Sequence, residues 1–183
     1  MLSVLLGGAR SGKSSLALAI ARRSGRPVSF IATGEPLDAE FAERIDRHRA
    51  ERPSTWQTIE EPIELEAALA RAVDDAATIV DCLTLWVANL FGRGYTEAVI
   101  VERATDVASL ARRRGGPTVV VTNEVGSGIV PADALSRHYC DTLGRVNAVF
   151  AAHADEAFLV VAGRVLPLLE LDAGDMNRER SLP

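Results

Sequence analysis

The chain has 183 residues, of which 48% are hydrophobic and 25% charged, and its formal net charge is −5. These values are typical of one folded domain, and the acidic balance argues against a general nucleic-acid binder. No apolar run reaches the ~18 residues that a membrane-spanning helix needs, and the N-terminus lacks the basic start of a signal peptide. Two cysteines form no disulfide or metal framework, so we expect a reducing, cytoplasmic setting.

Short apolar runs rich in β-branched residues recur along the chain. Runs such as TVVVT and FLVVA are continuously apolar, which predicts strands buried on both faces of a parallel sheet. The predicted strands are 3–6, 28–32, 57–60, 78–81, 118–122 and 158–162, with 165–169 as a last hairpin partner.

Helical patterns lie between these strands. The predicted helices are 13–23, 38–50, 63–73, 96–114 and 135–153. Asp38 is expected to cap the second of them, and RRRGG ends the fourth. Alternation of strands and helices predicts an α/β fold with a mainly parallel sheet. We expect one catalytic domain over residues 1–171 and a polar tail over 172–183.

The segment GGARSGKS at 7–14 matches the phosphate-binding pattern G-x-x-x-x-G-K-[ST] between a strand and a helix. Its glycines let backbone N–H groups surround a phosphate, and the helix N-terminus adds partial positive charge. Lys13 would reach the β and γ phosphates, and Ser14 would ligate Mg²⁺. The alternative is a chance glycine-rich turn, which the strand and helix on either side argue against.

Lysine usage supports that interpretation. Of the 20 cationic residues 19 are arginine, and Lys13 is the single lysine. A chain that otherwise uses arginine has kept an ammonium at the one position where a compact point charge suits a phosphate loop.

Asp81 ends the apolar run TIVD. An acidic residue at a strand end near a phosphate loop commonly holds Mg²⁺, directly or through water. The alternative is an N-cap for the helix that follows, and the two roles are compatible.

His48 lies among four arginines in the segment 44–52. Neighbouring cations favour the neutral imidazole, which is a nucleophile that could attack an α-phosphate. The residue types alone favour a plainer interpretation, a solvated charged helix with an incidental histidine. A guanine-reading Asn-Lys-x-Asp motif is absent, so a GTPase switch is not indicated.

Several longer segments resemble one known family across about residues 4–170. They are GGARSGKS (7–14), IAT (31–33), D-x-E-x-x-x-RI-x-x-HR (38–49), RP-x-x-W (52–56), E-P (61–62), DCLTLWVANL (81–90), TNEVGSGIVP (122–131) and RHYCDTLGRVNAVFAAHADEAFLVVAG (137–163). These resemble the bifunctional adenosylcobinamide kinase/adenosylcobinamide-phosphate guanylyltransferases of cobalamin biosynthesis. The resemblance implies a RecA-like P-loop NTPase fold and a homotrimer.

The resemblance also implies two reactions. The first phosphorylates adenosylcobinamide with a nucleoside triphosphate such as ATP. The second transfers GMP from GTP to that phosphate through a guanylylated histidine, giving adenosylcobinamide-GDP and pyrophosphate. Mg²⁺ is the implied cofactor.

The family motifs map onto particular residues of this chain. The guanylylated histidine matches His48, with Lys13 as the second catalytic residue. The implied metal ligands are Ser14 and Asp81. The implied nucleotide contacts are Gly7, Gly8, Ala9, Arg10, Ser11, Gly12, Lys13, Ser14, Thr33, Arg49, Glu60 or Glu61, and Asp81.

Other conspicuous residues carry weaker expectations. Glu124 either helps position the corrinoid or a base, or caps a helix in a structural connector. An ion-paired helix face that contacts a neighbouring subunit is expected to include Arg137, Asp141, Arg145 and Asn147. We expect Cys82 to be a buried apolar residue. Trp56 and Trp86 are expected in the core or an interface, and His138 and His153 are expected to be ordinary helix residues. An enzyme with one activity and a non-enzymatic nucleotide-binding regulator remain the alternative functions.

Overall fold

A computed structural model describes residues 1–36, 38–50 and 52–170. Seven strands form one sheet in the order β3-β2-β4-β5-β1-β6-β7. The strands are β1 Leu2–Leu6, β2 Val28–Ala32, β3 Gln57–Glu60, β4 Ala77–Asp81, β5 Thr118–Val121, β6 Glu156–Val161 and β7 Arg164–Leu168. Every pairing is parallel except that of β6 with β7. The predicted parallel α/β fold is therefore confirmed, with an antiparallel hairpin at one edge.

Six helices connect the strands. They are α1 Lys13–Arg23, α2 Ala39–Ala50, α3 Leu65–Arg71, α4 Leu83–Gly92, α5 Glu97–Arg113 and α6 Ala134–His153. Five of them lie where the periodicity predicts, and α3 is shorter at both ends than expected. Helix α4 had no predicted bounds because its sequence, LTLWVANLFG, is almost continuously apolar and lacks a helical stripe. The predicted tail, residues 172–183, lies outside the described residues.

Alternate residues of the central strands enter two hydrophobic clusters, one on each face of the sheet. Leu5, Ile79 and Val119 pack against α1, while Val4, Val80 and Val120 pack against helices α3 to α6. Burial on both faces explains why β1, β2, β4 and β5 read as continuous apolar runs. The sheet also brings the carboxyl ends of its parallel strands to one edge, where the connecting loops gather.

The last two strands depart from the expected burial. Only Val160 of β6 is fully buried, and β7 is exposed along its whole length. The expectation that FLVVA is buried on both faces is therefore wrong. The physical reason is position, because β7 is the edge strand and β6 lies next to it, so that only Val160, with Phe158 and Leu159 packed beside it, reaches the two clusters.

Candidate functional site

The phosphate-binding motif occupies the turn between β1 and α1. Gly7 has a φ of 151°, and a Cβ at this position would lie 2.2 Å from the carbonyl oxygen of Val160 in β6. Gly12 has a φ of 104° and is the N-cap residue of α1. Glycine is required at both positions, by the positive φ and, at Gly7, by the approach of β6.

Lys13 is the first residue of α1 and is only 6% exposed. Its Nζ donates to the carbonyl oxygens of Gly7 at 2.9 Å and Gly8 at 2.6 Å. These bonds bend the side chain back over its own loop. The ammonium and the amino end of α1 thus meet at the place where a phosphate would bind.

The hairpin of β6 and β7 contacts the phosphate loop through a backbone hydrogen bond. The N–H of Gly163, in the turn between β6 and β7, donates to the carbonyl oxygen of Ser11 at 2.9 Å. Ala162 and Gly163 both have positive φ, at 50° and 73°, as the tight turn requires. No local pattern connects residues 11 and 163. The contact depends on the pairing of β6 with β1.

Asp81 lies half-buried at the carboxyl end of β4. Burial raises the pKa of its carboxyl above the ordinary value, opposed by a hydrogen bond from Ser14 and by the basic groups of His48, Arg52 and Lys13. Sequence-distant residues predicted for one site are therefore neighbours. The N-cap alternative for Asp81 is wrong, because Cys82 is the N-cap residue of α4 and no side chain caps that helix.

Ser14 and Asp81 provide a hydroxyl and a carboxylate oxygen next to each other. These are oxygen ligands of the kind that Mg²⁺ prefers. Within residues 1–36, 38–50 and 52–170, no three His, Cys, Asp or Glu side chains group as a metal cluster. Mg²⁺ usually binds through one or two protein ligands, phosphate oxygens and water, so this pair fits it.

Helix α2 faces the phosphate loop across a cavity of about 720 Å³. One wall is formed by residues 9–15, and the opposite wall includes Arg47 and His48 of α2. Asp38 directly precedes the helix, and its carbonyl oxygen accepts the N–H of Ala42 at 2.9 Å. His48 therefore faces the loop that would hold the triphosphate.

A smaller cavity of about 160 Å³ opens beside the first. Its own walls include the apolar side chains of Ile45 and Leu85. Five residues line both cavities and so mark their junction: Ser14, His48, Asp81, Cys82 and Asn123. The candidate nucleophile and the candidate metal ligands thus meet at one place.

Arg52 is a further cationic residue at this junction. It lines the smaller cavity, and its guanidinium carbon lies 3.7 Å from the centroid of the Phe30 ring. That cation–π contact holds Arg52 against β2. The segment RP-x-x-W marked this region, but nothing in the sequence distinguished Arg52 from the arginines around it.

Arg49 and Glu60 lie outside both cavities in this arrangement. The two side chains form an ion pair with each other, and Arg49 also bonds to Asp46 at 3.1 Å. All three are exposed. The structure therefore does not bring Arg49 or Glu60 to the junction where His48 lies.

Glu61 has a local structural role. Its carboxylate accepts the N–H groups of Ile63 at 3.3 Å and Glu64 at 3.0 Å, and it pairs with Arg71 at 2.9 Å. Burial pushes the pKa of Glu61 upward, but these hydrogen bonds and the Arg71 charge outweigh burial and hold the pKa below its ordinary value. Glu61 thus shapes the turn before α3.

Thr33 is fully buried, and its hydroxyl bonds to the backbone of Cys82. Asn89 of α4 adds a bond from its Nδ2 to the carbonyl oxygen of Thr33 at 2.7 Å. Neither side chain lines either of the two cavities. The Thr33 side chain therefore supports the backbone of Cys82 after β4, and Thr33 itself does not line the site.

The segment after β5 is anchored on both sides. Glu124 accepts the N–H of Gly126 at 2.6 Å, and α6 is instead capped by Asp133, which accepts the N–H of Ser136. The alternative in which Glu124 caps a helix is therefore wrong, while its role toward a substrate is left open. Asn147 is buried rather than on an ion-paired face, because its amide bonds to the segment after β5.

The remaining candidates have structural surroundings. Burial, together with the Asp81 charge, raises the pKa of the Cys82 thiol to about 12, so it stays protonated and unreactive at neutral pH. Trp86 is fully buried and donates to the carbonyl oxygen of Ile63 at 2.8 Å, and Trp56 packs against the cluster around α1. His138 and His153 lie in α6, and the ring of His153 bonds to the Val149 carbonyl oxygen.

Comparison with known proteins decides which phosphate-loop family this geometry represents. Residues 3–168 match the family described as cobinamide kinase / cobinamide phosphate guanyltransferase. The chain belongs to this family. The match spans the phosphate loop, α2 with His48, and the strand that ends at Asp81, so every element of the candidate site lies within it.

Two relatives cover nearly the whole chain. The bifunctional adenosylcobalamin biosynthesis protein CobP of Pseudomonas aeruginosa is 41% identical over 169 residues, which cover 92% of this chain and 97% of that protein. The bifunctional adenosylcobalamin biosynthesis protein CobU of Salmonella typhimurium is 40% identical over 176 residues, with coverage of 89% and 97%. The chain is therefore a member of a family of bifunctional enzymes.

Solved structures of lower identity support the fold. The Pyrococcus horikoshii protein PH0250 superposes with a TM-score of 0.55 at 12% identity, covering 94% of this chain and 88% of its own. The RadB recombinase has a TM-score of 0.50 at 19% identity, with coverage of 86% and 73%. The predicted RecA-like P-loop fold is confirmed. In the described part of the chain, no helix has the length and hydrophobicity to cross a membrane.

Proposed function

We propose that this protein phosphorylates adenosylcobinamide with a nucleoside triphosphate and then transfers GMP from GTP to that phosphate. The products of the second step are adenosylcobinamide-GDP and pyrophosphate, and His48 carries the guanylyl group between the two half-reactions. The observation that carries this proposal is the junction at which His48 lies beside Ser14 and Asp81, opposite the phosphate loop. A regulator that only binds nucleotide needs no nucleophile there.

In the kinase step the loop holds the triphosphate while the substrate hydroxyl attacks the γ-phosphorus. The backbone N–H groups of residues 8–13 and the Lys13 ammonium bind the phosphate oxygens and stabilise the charge that develops on them. No protein nucleophile is required, because the acceptor itself attacks. His48 is therefore dispensable for this step.

In the guanylylation step the imidazole of His48 attacks the α-phosphorus of GTP. A P–N bond forms, the bond between the α-phosphorus and the bridging oxygen breaks, and the loop with Lys13 holds the pyrophosphate that leaves. The phosphate on adenosylcobinamide then attacks the same phosphorus and releases His48. Two displacements replace one difficult transfer.

We further propose Mg²⁺ as the cofactor, with the Ser14 hydroxyl and the Asp81 carboxylate holding it. When bound, it neutralises charge on the phosphate oxygens during transfer. The adjacency of these two oxygen ligands supports this assignment.

We also propose that the protein works as a homotrimer in the cytoplasm. The hairpin of β6 and β7 supports self-association, because large apolar side chains are exposed there. They are Val161, Val165, Leu166 and Leu168 in the hairpin, and Leu169 directly after β7. Both cysteines are free thiols, which agrees with a reducing compartment.

Incubation with GTP labelled at the α-phosphate tests the proposed function directly. We expect wild-type protein to retain label that is released by acid and is stable in base, as for a P–N bond. The variant H48A should lose the label and guanylyl transfer while keeping part of the kinase activity, since γ-phosphoryl transfer needs no protein nucleophile.

Peptide mapping of the trapped intermediate supplies the control. Lys13 is the competing nucleophile, because a lysyl nucleotide has the same acid lability. Label found on Lys13, or full guanylyl transfer by H48A, would contradict the assignment of His48.

A further inference from the structure

Asn123 lies between the phosphate loop and Asp81 because of the strand order. Strand β5 pairs with β1 on one side and with β4 on the other. Beyond its end, the N–H of Thr122 donates to Leu5 at 3.0 Å and the N–H of Glu124 donates to Gly7 at 3.2 Å. Asn123 therefore follows the chain alongside the first glycine of the loop.

The backbone of Asn123 is clamped from two directions. Its N–H donates to the Thr84 hydroxyl at 2.9 Å, and its carbonyl oxygen accepts from Nδ2 of Asn147 at 3.0 Å. Asn147 is 4% exposed, and its other amide atom accepts from Thr122 at 2.7 Å. These bonds fix where the Asn123 side chain starts without occupying that side chain.

Asn123 lines both cavities at their junction, and its side chain ends in an amide. No hydrogen bond joins it to another residue within 1–36, 38–50 and 52–170, whereas the backbone around it is fully engaged. An amide offers two N–H donors and carries no net charge. It can thus bind a phosphate oxygen without competing with Ser14 and Asp81 for a cation.

A triphosphate bound at the loop would extend its terminal phosphate toward this junction. The loop would hold the β-phosphate, and the candidate Mg²⁺ ligands Ser14 and Asp81 line the same junction as Asn123. The γ-phosphate, one unit further from the loop, would then lie toward the place where the two cavities meet. Among the five residues that line both cavities, Asn123 has the only uncharged amide.

We propose that the side-chain amide of Asn123 donates a hydrogen bond to the γ-phosphate of the bound nucleotide and is a further catalytic residue. This inference rests on the proposed function. In the kinase step the contact stabilises the γ-phosphoryl group in the transition state of its transfer. In the guanylylation step it stabilises the pyrophosphate that leaves. A fixed donor aimed at developing charge contributes about 10²–10³-fold in rate when its geometry is preorganised.

Nucleotide binding without any corrinoid tests the contact. The probes are GDP and a non-hydrolysable GTP analogue, each with Mg²⁺. We expect N123A to weaken binding of the analogue by about tenfold or more while the Kd for GDP changes less than twofold, because GDP lacks the γ-phosphate. N123D keeps the size of the side chain and adds negative charge, so it should weaken the analogue further still.

The variant Q57A is a matched control. The Gln57 amide bonds to Ser29 and Arg71 and lines neither cavity, so its removal should leave the ratio of the two dissociation constants unchanged. Thermal unfolding checks that N123A folds. The clamp uses backbone atoms of Asn123, and N123S serves as the smaller change if N123A is unstable.

Two results would overturn the proposal. Either an unchanged Kd for both probes in N123A, or an equal loss for GDP and the analogue, shows that the amide does not contact the γ-phosphate. The proposed function fails separately, since absence of a guanylyl-histidine on the wild type leaves this binding comparison intact.

Discussion

The hydroxyl of Thr33 donates to the carbonyl oxygen of Cys82 at 2.7 Å and accepts from the N–H of the same residue at 2.8 Å. Asp81 directly precedes Cys82, so these two bonds hold the backbone that carries the carboxylate. Asn89 then ties Thr33 to Pro62 through one amide nitrogen. Thr33 is thus a positioning residue whose hydroxyl acts through Asp81.

Replacing Thr33 with valine removes both bonds while preserving side-chain shape. The N–H of Cys82 is then unsatisfied in a buried place, which costs about 1–3 kcal/mol of stability. We expect the Mg²⁺ concentration for half-maximal activity to rise about tenfold, because about 1.4 kcal/mol of lost positioning corresponds to that factor. A Mg²⁺ titration of kinase activity measures this.

The variant T33S keeps the hydroxyl and should stay close to the wild type in that titration. If T33V instead raised only the KM for nucleotide at saturating Mg²⁺, the Thr33 side chain would be a nucleotide ligand and the positioning role would be wrong.

At the scale of elements, the phosphate loop depends on the strand beside it. The carbonyl oxygen of Val160 in β6 lies 2.2 Å from where a Cβ of Gly7 would be, and the following hairpin turn bonds to Ser11. The loop is therefore seated against β6 and its turn, in addition to being the start of α1. Close packing of this kind tolerates no added atom without movement of the backbone.

Two neighbouring glycines offer a matched test of this seating. G7A forces either the loop or β6 to move and should cost about 1–3 kcal/mol of stability, with loss of triphosphate binding. A Cβ added at Gly8 would have no heavy atom within 4 Å apart from those of its chain neighbours, so G8A should bind nucleotide far better than G7A. Thermal unfolding and nucleotide titration of both variants measure this, and equal behaviour would contradict the role of β6.

A second connection joins the end of α5 to the end of α3. Arg114 donates from Nη1 to the carbonyl oxygen of Leu69 and from Nη2 to that of Val73, both at 2.6 Å. Burial lowers the pKa of Arg114, and Asp74 partly opposes this. A cation at the carboxyl end of α3 satisfies carbonyl groups that the helix leaves open.

Removal of this guanidinium should destabilise the fold. We expect R114A to lower the free energy of unfolding by about 1.5–3 kcal/mol, as for hydrogen bonds to a charged group. The neighbouring variant R113A removes an exposed arginine and should change stability by no more than about 0.5 kcal/mol. Urea unfolding of both variants compares them, and equal midpoints would refute the bridging role of Arg114.

At the scale of the whole molecule, the candidate site lies at the carboxyl ends of the parallel strands, and the edge strand β7 is exposed to solvent. The carboxyl ends of β1, β4 and β5 bring the loop, Asp81 and Asn123 together. Strand β7 has exposed apolar side chains in the single chain. Because the turn of that hairpin also supports the phosphate loop, self-association through β7 would stiffen the nucleotide site.

Light scattering at several protein concentrations tests the proposed trimer. We expect a mass three times that of the 19.6 kDa chain. L166D places a charge on the exposed face of β7 and should shift the mass toward one chain, because a buried unpaired charge is costly at an interface. V73D changes an exposed apolar residue after α3 and should leave the trimer intact. A single-chain mass for the wild type at every concentration would contradict the trimer.

The amino-acid sequence by itself determined most of the strands and helices and the position of the phosphate loop. Continuous apolar runs located the strands, helical spacing located five helices, and the motif at 7–14 placed the phosphate loop, because these features depend on residues close together in the chain. The choice of His48 came from resemblance, since its residue type among arginines favoured a plain charged helix.

Only the tertiary structure decided which distant residues meet. Asn123, Thr33 and Val160 gained their surroundings from the strand order, in which β5 lies between β1 and β4 and β6 lies beside β1. Arg49 and Glu60 form an ion pair with each other and do not line the cavities. Strand β7 is exposed because it is the edge strand of the sheet. The hydrophobic pattern of a segment predicts which of its own side chains are buried. Which strands pair with each other depends on the packing of the whole chain.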